Sequence, residues 1–512
     1  MLFKILTFDR YKTYFFSLSF FIILFVSFRA FLFFAFNVAL QCDSYYYLQL
    51  STNILGTNIL TWDGIRLPLY PGFLAFLQYV FFGKPFISSI SWSSLVVPEF
   101  IDTIKNLATT QVPYSFGATV AYIQFLLSIF SGIFLLSVLY KLLRNKMSIF
   151  IICFLLLLNP YIALYDNYIM TDSIANSLFL IYLTLILRNF FIKEDCSCKC
   201  IFLHGFIGAL SILTRPNYLV TVVVLAFLFL ILLKNGRKKF LRLIMHFLGL
   251  GLSMVLWMTM VYFNTGYFTL MTITGYQSTQ LVYNMWNYAD DKDIVLKNIM
   301  LNKYYEVAKG DKGAEHSADY IWGVWNELSE NIHKMPFAKK TDKFAKSVDL
   351  SNYLDKVSKK IIYAHPALIL KNSGHTLVRT FFEFDCQDYP WEYFTGHYCC
   401  VFPLDHRAIA KSQFLYNIHK TIVVSYLYFV RIFYGFILVC APFILLFFLF
   451  DRKKTINKNA SLLIACTASL LASTFFTLLF NVPHMRYFIP MWDLCAIIVF
   501  SFFTFVTSRS DK

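Results

Sequence analysis

The sequence is poor in charged residues. Only 14% of its 512 residues are Asp, Glu, Lys or Arg, against about 25% in ordinary soluble domains. With 58% hydrophobic residues and a mean hydropathy of +0.59, the chain carries more apolar side chains than a soluble core can bury. These values exclude a soluble multidomain enzyme and an intrinsically disordered chain.

Cysteine is also sparse for the length of the chain. The eleven cysteines are scattered, and their odd number means that they cannot all pair internally, which excludes a disulfide-stapled secreted domain. A pairing of Cys386 with Cys399 or Cys400 stays open. No N-x-S/T sequon falls in the segments predicted below to lie outside the membrane, and this favours a bacterial membrane.

Long apolar runs are what the sequence does have. They contain about 20 residues each, the length needed to cross a hydrocarbon core of about 30 Å, and short basic clusters separate them. The pattern predicts an all-α polytopic membrane protein with about ten transmembrane helices. The predicted spans are 14–38, 116–140, 147–163, 173–191, 201–214, 218–233, 243–263, 421–450, 460–480 and 488–507.

The position of the charges predicts the orientation of these spans. If both termini are cytoplasmic, the inside loops hold twenty basic and five acidic residues, which accounts for nearly all of the net charge of +16. The positive-inside rule therefore explains the charge, and no nucleic-acid partner is expected. We predict a multi-pass protein of a bacterial inner membrane whose first span is a retained anchor rather than a signal peptide.

This orientation divides the chain into three parts. Residues 1–263 form a transmembrane module that includes the outer loop 41–115. Residues 264–420 form a second outer segment, predicted to be a small domain that faces the acceptor, and residues 421–512 supply the C-terminal transmembrane helices. Both outer segments are nearly neutral, so neither is a polybasic lipid anchor.

Polar motifs recur at the outer ends of the predicted helices. Each contains an acid or an arginine, and most of them also contain aromatic residues or prolines. They are Asp43-Ser44-Tyr45-Tyr46, Arg66-Leu67-Pro68 followed by Pro71, Thr171-Asp172, Arg215-Pro216, and His484-Met485-Arg486-Tyr487.

In this order the motifs resemble those of the membrane-embedded GT-C glycosyltransferases. The similar subgroup contains the protein O-mannosyltransferases and the lipid A aminoarabinose transferase. The resemblance covers residues 15–285 and returns at 484–490, whereas 290–420 match no pattern. It implies a GT-C-like helical bundle that takes a sugar from a polyprenyl-phosphate donor and passes it to a glycan, lipid or protein acceptor. Some members of this superfamily use a divalent metal and others do not; we predict no metal and no other cofactor.

Sugar transfer from a lipid phosphate needs a base for the acceptor hydroxyl, a cation for the departing phosphate and an apolar edge for the lipid tail. Asp43 lies where the first span meets the outer surface and is the candidate base; the alternative is that it caps a helix beginning at Ser44. Arg66 precedes a stiff Pro-x-x-Pro loop and is a candidate phosphate ligand. The alternative for Arg66 is an ordinary surface arginine.

Other polar residues are assigned to the same cavity through the resemblance. Asp172 is expected to orient the acceptor or to contact a metal, although it is an equally good helix N-cap. Arg486 and Arg215 are candidate phosphate ligands, with interfacial anchoring as the alternative for both. The remaining cavity residues predicted are Tyr45, Tyr46, His484 and Tyr487.

Three charged residues fall inside predicted spans. Arg431 and Asp493 lie at comparable depth, and we expect them to form an interhelical pair. Arg29 is left either paired or extended toward the outer surface, and Asp166 is placed in an exposed turn.

An amphipathic helix is also predicted over 353–384, interrupted at His365-Pro366.

The function predicted from these features is transfer of a sugar with inversion at the anomeric carbon. A transporter or flippase of a lipid-linked sugar is the main alternative, because a bundle with intramembrane charges also describes carriers. No paired half-repeat supports that alternative. A noncatalytic assembly factor is a third reading, and the intact Asp43 and Arg66 speak against it.

Overall fold

The fold is a bundle of long apolar helices with a helical outer segment. The computed structural model describes residues 2–41, 43–56, 64–83, 112–142, 149, 153–192, 197–232, 236–310, 327–328, 331, 335, 343–382, 401–403, 412–450, 458–480 and 489–510. Within these ranges the backbone is almost entirely helical, apart from one pair of short strands.

Ten of the described helices belong to the bundle. Their bounds are α1 Leu2–Ala35, α4 Tyr114–Leu142, α5 Pro160–Leu164, α6 Thr171–Leu187, α7 Cys198–Thr214, α8 Tyr218–Leu232, α9 Gly236–Thr265, α14 Gln413–Phe450, α15 Lys458–Phe480 and α16 Ile489–Ser510. The outer segments contain α2 Ser44–Gly56, α3 Leu69–Phe82, α10 Thr274–Leu281, α11 Ile294–Gly310, α12 Lys343–Ala364 and α13 Pro366–Phe382. Two π-helical turns, Cys153–Leu157 and Arg188–Ile192, adjoin α5 and α6.

The described parts of the ten predicted spans are largely helical, and the prediction of a polytopic helical membrane protein is confirmed. The span 147–163 is interrupted at Leu158 and Asn159, and the last three residues of the span 14–38 lie beyond the end of α1. On length and composition alone, four described stretches are long and apolar enough to cross a membrane. They are Leu18–Ala35, Tyr114–Leu142, Phe240–Thr265 and Lys420–Phe447. Shorter apolar helices make up the rest of the bundle, so the count of ten spans stays a prediction.

Helices α7 and α9 cross where both carry glycine. A Cβ on Gly205 would collide with the backbone oxygen of His246, and one on Gly249 would collide with the backbone oxygen of Phe202. Small residues let helix backbones approach closely inside a membrane, where burial of apolar area gives little drive for association. The two glycines therefore set the spacing of α7 and α9.

The outer segment after α9 packs back onto the bundle through its own apolar core. This core joins Trp257 and Val261 of α9 to Leu281, Leu350 and other residues of the segment. At the far end of the segment, strand β2 (Val401–Pro403) pairs antiparallel with strand β1 (Ala39–Gln41), which lies between α1 and α2. Both ends of the segment are thus held close to the outer end of the bundle.

The predicted amphipathic helix over 353–384 is two helices. α12 begins ten residues earlier than predicted, at Lys343, and ends at Ala364, whereas α13 starts at Pro366. Proline fits the first position of a helix, where its missing N–H costs nothing, but it cannot continue a preceding one. His365 between them stacks on Tyr288 with ring centroids 4.0 Å apart.

The glycine crossing gives a stability prediction with an internal control. Gly249→Ala should lower the thermal unfolding temperature of the detergent-solubilised protein, because overpacking of a tight contact costs about 1–3 kcal/mol. Gly251→Ala lies on the same helix, where an added Cβ meets nothing within 4 Å. It should leave the unfolding temperature unchanged or slightly higher. Equal effects of the two substitutions would contradict the close crossing.

Candidate active site

Asp43 and Arg66 form an ion pair at the outer end of the bundle, the end where α1 and α9 end and α4 begins. Arg66 Nη2 donates to Asp43 Oδ1 at 2.6 Å, and the two side chains are 17% and 19% exposed. The guanidinium carbon also lies 5.2 Å from the ring centroid of Tyr46 and 5.6 Å from that of Tyr47. Arg66 is therefore fixed by its contacts and is not an ordinary surface arginine. The aromatic rings add a favourable cation–π contact.

Asp43 stands immediately before α2, as predicted. Its backbone carbonyl accepts the N–H of Tyr47 at 3.4 Å, while its carboxylate accepts from Arg66. Because helix α2 begins at Ser44 and successive helical residues point about 100° apart, it is Tyr46 and Tyr47 that meet Arg66. Tyr47 was missed by the sequence prediction, which named its two predecessors.

The loop that carries Arg66 is fixed by the outer segment. Gly64 has φ +72°, a left-handed conformation that glycine adopts without strain. Its carbonyl accepts the backbone N–H of Thr272 at 2.9 Å. A Cβ on Gly64 would meet Val261 Cγ1 at 2.9 Å. The position of Arg66 thus depends on α9 and on the residues that follow it.

Asp172 and Arg215 form a second acid–arginine pair. Arg215 follows the last residue of α7 in an extended conformation, and its Nη1 donates to Asp172 Oδ1. The two side chains are 9% and 1% exposed. Asp172 is the second residue of α6, whose N-cap is Met170, so the alternative role of Asp172 as N-cap is wrong.

Tyr47 lies between the two pairs. Its hydroxyl interacts electrostatically with Arg66, Asp43 and Arg215, and it hydrogen bonds with the side chain of Thr171. Burial raises the pKa of the Tyr47 hydroxyl, and the Arg66 guanidinium opposes this rise. The phenol therefore stays a neutral hydrogen-bonding group that connects Asp43–Arg66 with the N-terminus of α6.

The turn 165–170 joins the backbones that carry the two acids. The hydroxyl of Ser44, next to Asp43, donates to the carbonyl of Ile169 at 2.7 Å, and the Ile169 N–H donates to Ala39 at 3.2 Å. Two residues after Ile169, α6 begins and brings Asp172 into the site. The separation of Asp43 and Asp172 is thus set by a short hydrogen-bonded connection.

Two charged residues lie differently from expectation. Asp166 is 1% exposed, so its assignment to an exposed turn is wrong: the turn is enclosed by α1 and α4. Arg29 does not extend outward; its Nη2 donates to Asp166 Oδ2 at 2.6 Å. Arg431 and Asp493 are each 1% exposed, as expected for residues inside the bundle, and their mutual pairing stays a prediction.

Several predicted cavity residues lie outside the described residues. These are His484, Arg486 and Tyr487. The cysteines at 386, 399 and 400, whose pairing was left open, also lie outside the described residues. Tyr45 belongs to the first turn of α2, but its side chain is outside the described part. A divalent ion would need several oxygen, nitrogen or sulfur ligands. Within the described ranges no three His, Cys, Asp or Glu side chains are grouped closely enough to bind one.

The fold and the site define a polytopic helical membrane protein with two linked acid–arginine pairs at one end of its bundle. No protein-family model and no curated protein matches the sequence. Two solved structures are similar to it.

One is the Archaeoglobus fulgidus oligosaccharyltransferase tethered with an acceptor peptide: TM-score 0.38, 11% identity, with 95% of this chain and 49% of that chain covered. The other is ArnT from Cupriavidus metallidurans in the apo state: TM-score 0.34, 10% identity, with 94% of this chain and 76% of that chain covered. The chain spans about half the length of the oligosaccharyltransferase. At TM-scores below 0.5 these likenesses carry no weight for function, which is argued below from the chain's own residues.

The fixed loop of Arg66 gives a second stability prediction. Gly64→Ala should lower the unfolding temperature, because alanine at φ +72° is strained by about 1 kcal/mol and its Cβ meets Val261. Gly83→Ala is the control: Gly83 has φ +67°, and a Cβ there meets nothing within 4 Å. The backbone strain is common to both variants, so a larger decrease in the unfolding temperature of Gly64→Ala measures the packing of the Arg66 loop. Equal decreases in the two variants would show that this loop is not confined.

Proposed function

We propose that the chain is a membrane glycosyltransferase of the GT-C type. It takes a sugar from a polyprenyl-phosphate donor and transfers it to an acceptor hydroxyl or phosphate on the outer face of a bacterial inner membrane, with both termini in the cytoplasm. The observation that carries the proposal is the pairing of Asp43 with Arg66 beside Asp172–Arg215, at the outer end of the bundle.

The two members of the Asp43–Arg66 pair suit the two charges of the reaction. Asp43 is partly exposed, as a base that receives a proton from an incoming acceptor must be, and its Oδ1 accepts a hydrogen bond from Arg66. A guanidinium has five N–H donors and contacts a carboxylate and a phosphate at the same time. Arg66 is therefore placed to hold the donor phosphate next to the group that receives the acceptor proton.

The transfer is a direct displacement. The acceptor oxygen forms a bond to the anomeric carbon of the sugar, and the bond from that carbon to the phosphate oxygen breaks with its electron pair on the lipid phosphate. The acceptor proton passes to Asp43, and Arg66 with Arg215 stabilises the charge on the departing phosphate. One displacement inverts the anomeric centre.

The other predicted residues complete the proposal. Asp172 is buried against Arg215 and orients both that arginine and the acceptor. Arg486 remains a proposed phosphate ligand, and His484 and Tyr487 remain proposed cavity residues. Helix α3 begins three residues after Arg66, and its exposed apolar edge, formed by Phe76, Tyr79 and Val80, offers a surface for the lipid tail.

The test is label transfer by the purified protein. With radiolabelled polyprenyl-phosphate sugars and crude envelope acceptors, the wild-type protein should transfer label, and Asp43→Asn should lower the rate by roughly 10²–10⁴-fold, the usual contribution of a general base. The control is Asp291→Asn, which removes a carboxylate that is 98% exposed on the outer segment. It should transfer label at the wild-type rate.

Two results would contradict the proposal. One is full activity of Asp43→Asn with the fold intact. The other is labelled lipid that crosses vesicle membranes without being consumed, which would support the carrier alternative.

A further inference from the structure

Arg29 and Asp166 form an ion pair deep in the bundle that the proposed chemistry does not use. Arg29 lies in α1, six residues before its end, and the two side chains are 3% and 1% exposed. Charged groups inside a membrane are expensive, and even a paired one often stabilises less than apolar residues of the same volume. Stabilisation of the bundle therefore does not explain this ion pair. Its effect on the geometry of the neighbouring residues is the better explanation.

The pair joins three helices at the entrance to α6. Arg29 Nη2 donates to Ser128 of α4 as well as to Asp166 Oδ2, and the other oxygen of Asp166 accepts the hydroxyl of Ser173 at 2.5 Å. Ser173 is the third residue of α6, directly after Asp172. The N-cap Met170 gives α6 no side-chain cap, and Asp166 contacts the N-terminal turn of α6 through the hydroxyl of Ser173.

The same turn is held from its other side by Gln124 of α4. The Gln124 amide donates to the carbonyls of Tyr165, Asp166 and Tyr168 at 3.2, 3.2 and 2.8 Å, and its oxygen accepts the hydroxyl of Tyr70 at 2.8 Å. Apart from the Arg29–Ser128 and Tyr70–Gln124 hydrogen bonds, the contacts of this network act on residues 165–173. This stretch is bonded to Ser44 at one point and carries Asp172 near its end.

We propose that Arg29 and Asp166 are positioning residues of the transfer reaction, which fix the turn 165–170 and with it the placement of Asp172 relative to Asp43. The catalytic consequence rests on the proposed function. The structural consequence, a rigid turn, does not. Neither residue touches the substrates in this scheme; a displacement of about 1 Å in a reacting constellation is enough to slow a reaction on the order of 10²-fold.

The experiment replaces the pair by apolar residues of similar size, Arg29→Met with Asp166→Leu. Because no charge is left unpaired, the double variant should fold with an unfolding temperature close to that of the wild type. Its kcat should nevertheless fall on the order of 10²-fold, with little change in KM for the donor. Backbone amides of residues 167–173 should exchange hydrogen for deuterium faster than in the wild type.

The matched control removes a different buried interhelical hydrogen bond, that between Thr221 and Ser473 at 2.7 Å. The Thr221→Val, Ser473→Ala variant should keep the wild-type kcat and the wild-type exchange at 167–173. If the apolar double variant does not fold, Ser173→Ala tests the same point with the ion pair intact. It should show the same two changes, smaller in size.

The outcomes separate the two proposals. A folded apolar variant with wild-type kcat and unchanged exchange overturns the positioning role, as does a Ser173→Ala variant without either change. If the wild-type protein transfers no label, the proposed function fails, and the exchange measurement alone decides the structural part: faster exchange at 167–173 supports it, and unchanged exchange overturns it.

Discussion

A charge that leaves water must find a partner, and this constraint organises the outer end of the bundle. Three arginines meet three aspartates there: Arg29 with Asp166, Arg66 with Asp43, and Arg215 with Asp172. Within this set, exposure rises from the pair deepest in the bundle to the pair at the rim. In the rim pair, Asp43–Arg66, each side chain can exchange its partner for a substrate group at a modest desolvation cost.

The pairs are connected by the backbone and not only by proximity. The turn 165–170 carries Asp166, is bonded to β1 and to Ser44, and leads into α6. On the opposite side, Thr272 and Val261 hold the loop of Arg66. The outer segment therefore contributes to the site through the position of Arg66, whatever acceptor it faces.

Much of this fold follows from the order of residues. Apolar runs of about 20 residues locate the bundle, and the basic clusters predict its orientation. Asp43 and Arg66 were expected in one site and do meet. The pairings Arg215–Asp172 and Arg29–Asp166 were missed because they join residues 43 and 137 positions apart, with no local pattern to signal them.

Asp166 was misplaced because a short polar turn is normally exposed, and only the packing of α1 and α4 around it shows its burial. The contact of Tyr47 with Arg66 depends on the phase of α2, which one residue of error in its predicted start would change.

If Arg66 holds a lipid phosphate beside Asp43, a cryo-electron microscopy structure of the protein in lipid nanodiscs with a bound polyprenyl phosphate will show it. We expect phosphate density within hydrogen-bonding distance of the Arg66 guanidinium, on the side of Asp43, with the prenyl chain leaving toward the apolar edge of α3. A phosphate bound elsewhere, with the Asp43–Arg66 pair unchanged and closed to lipid, would contradict it.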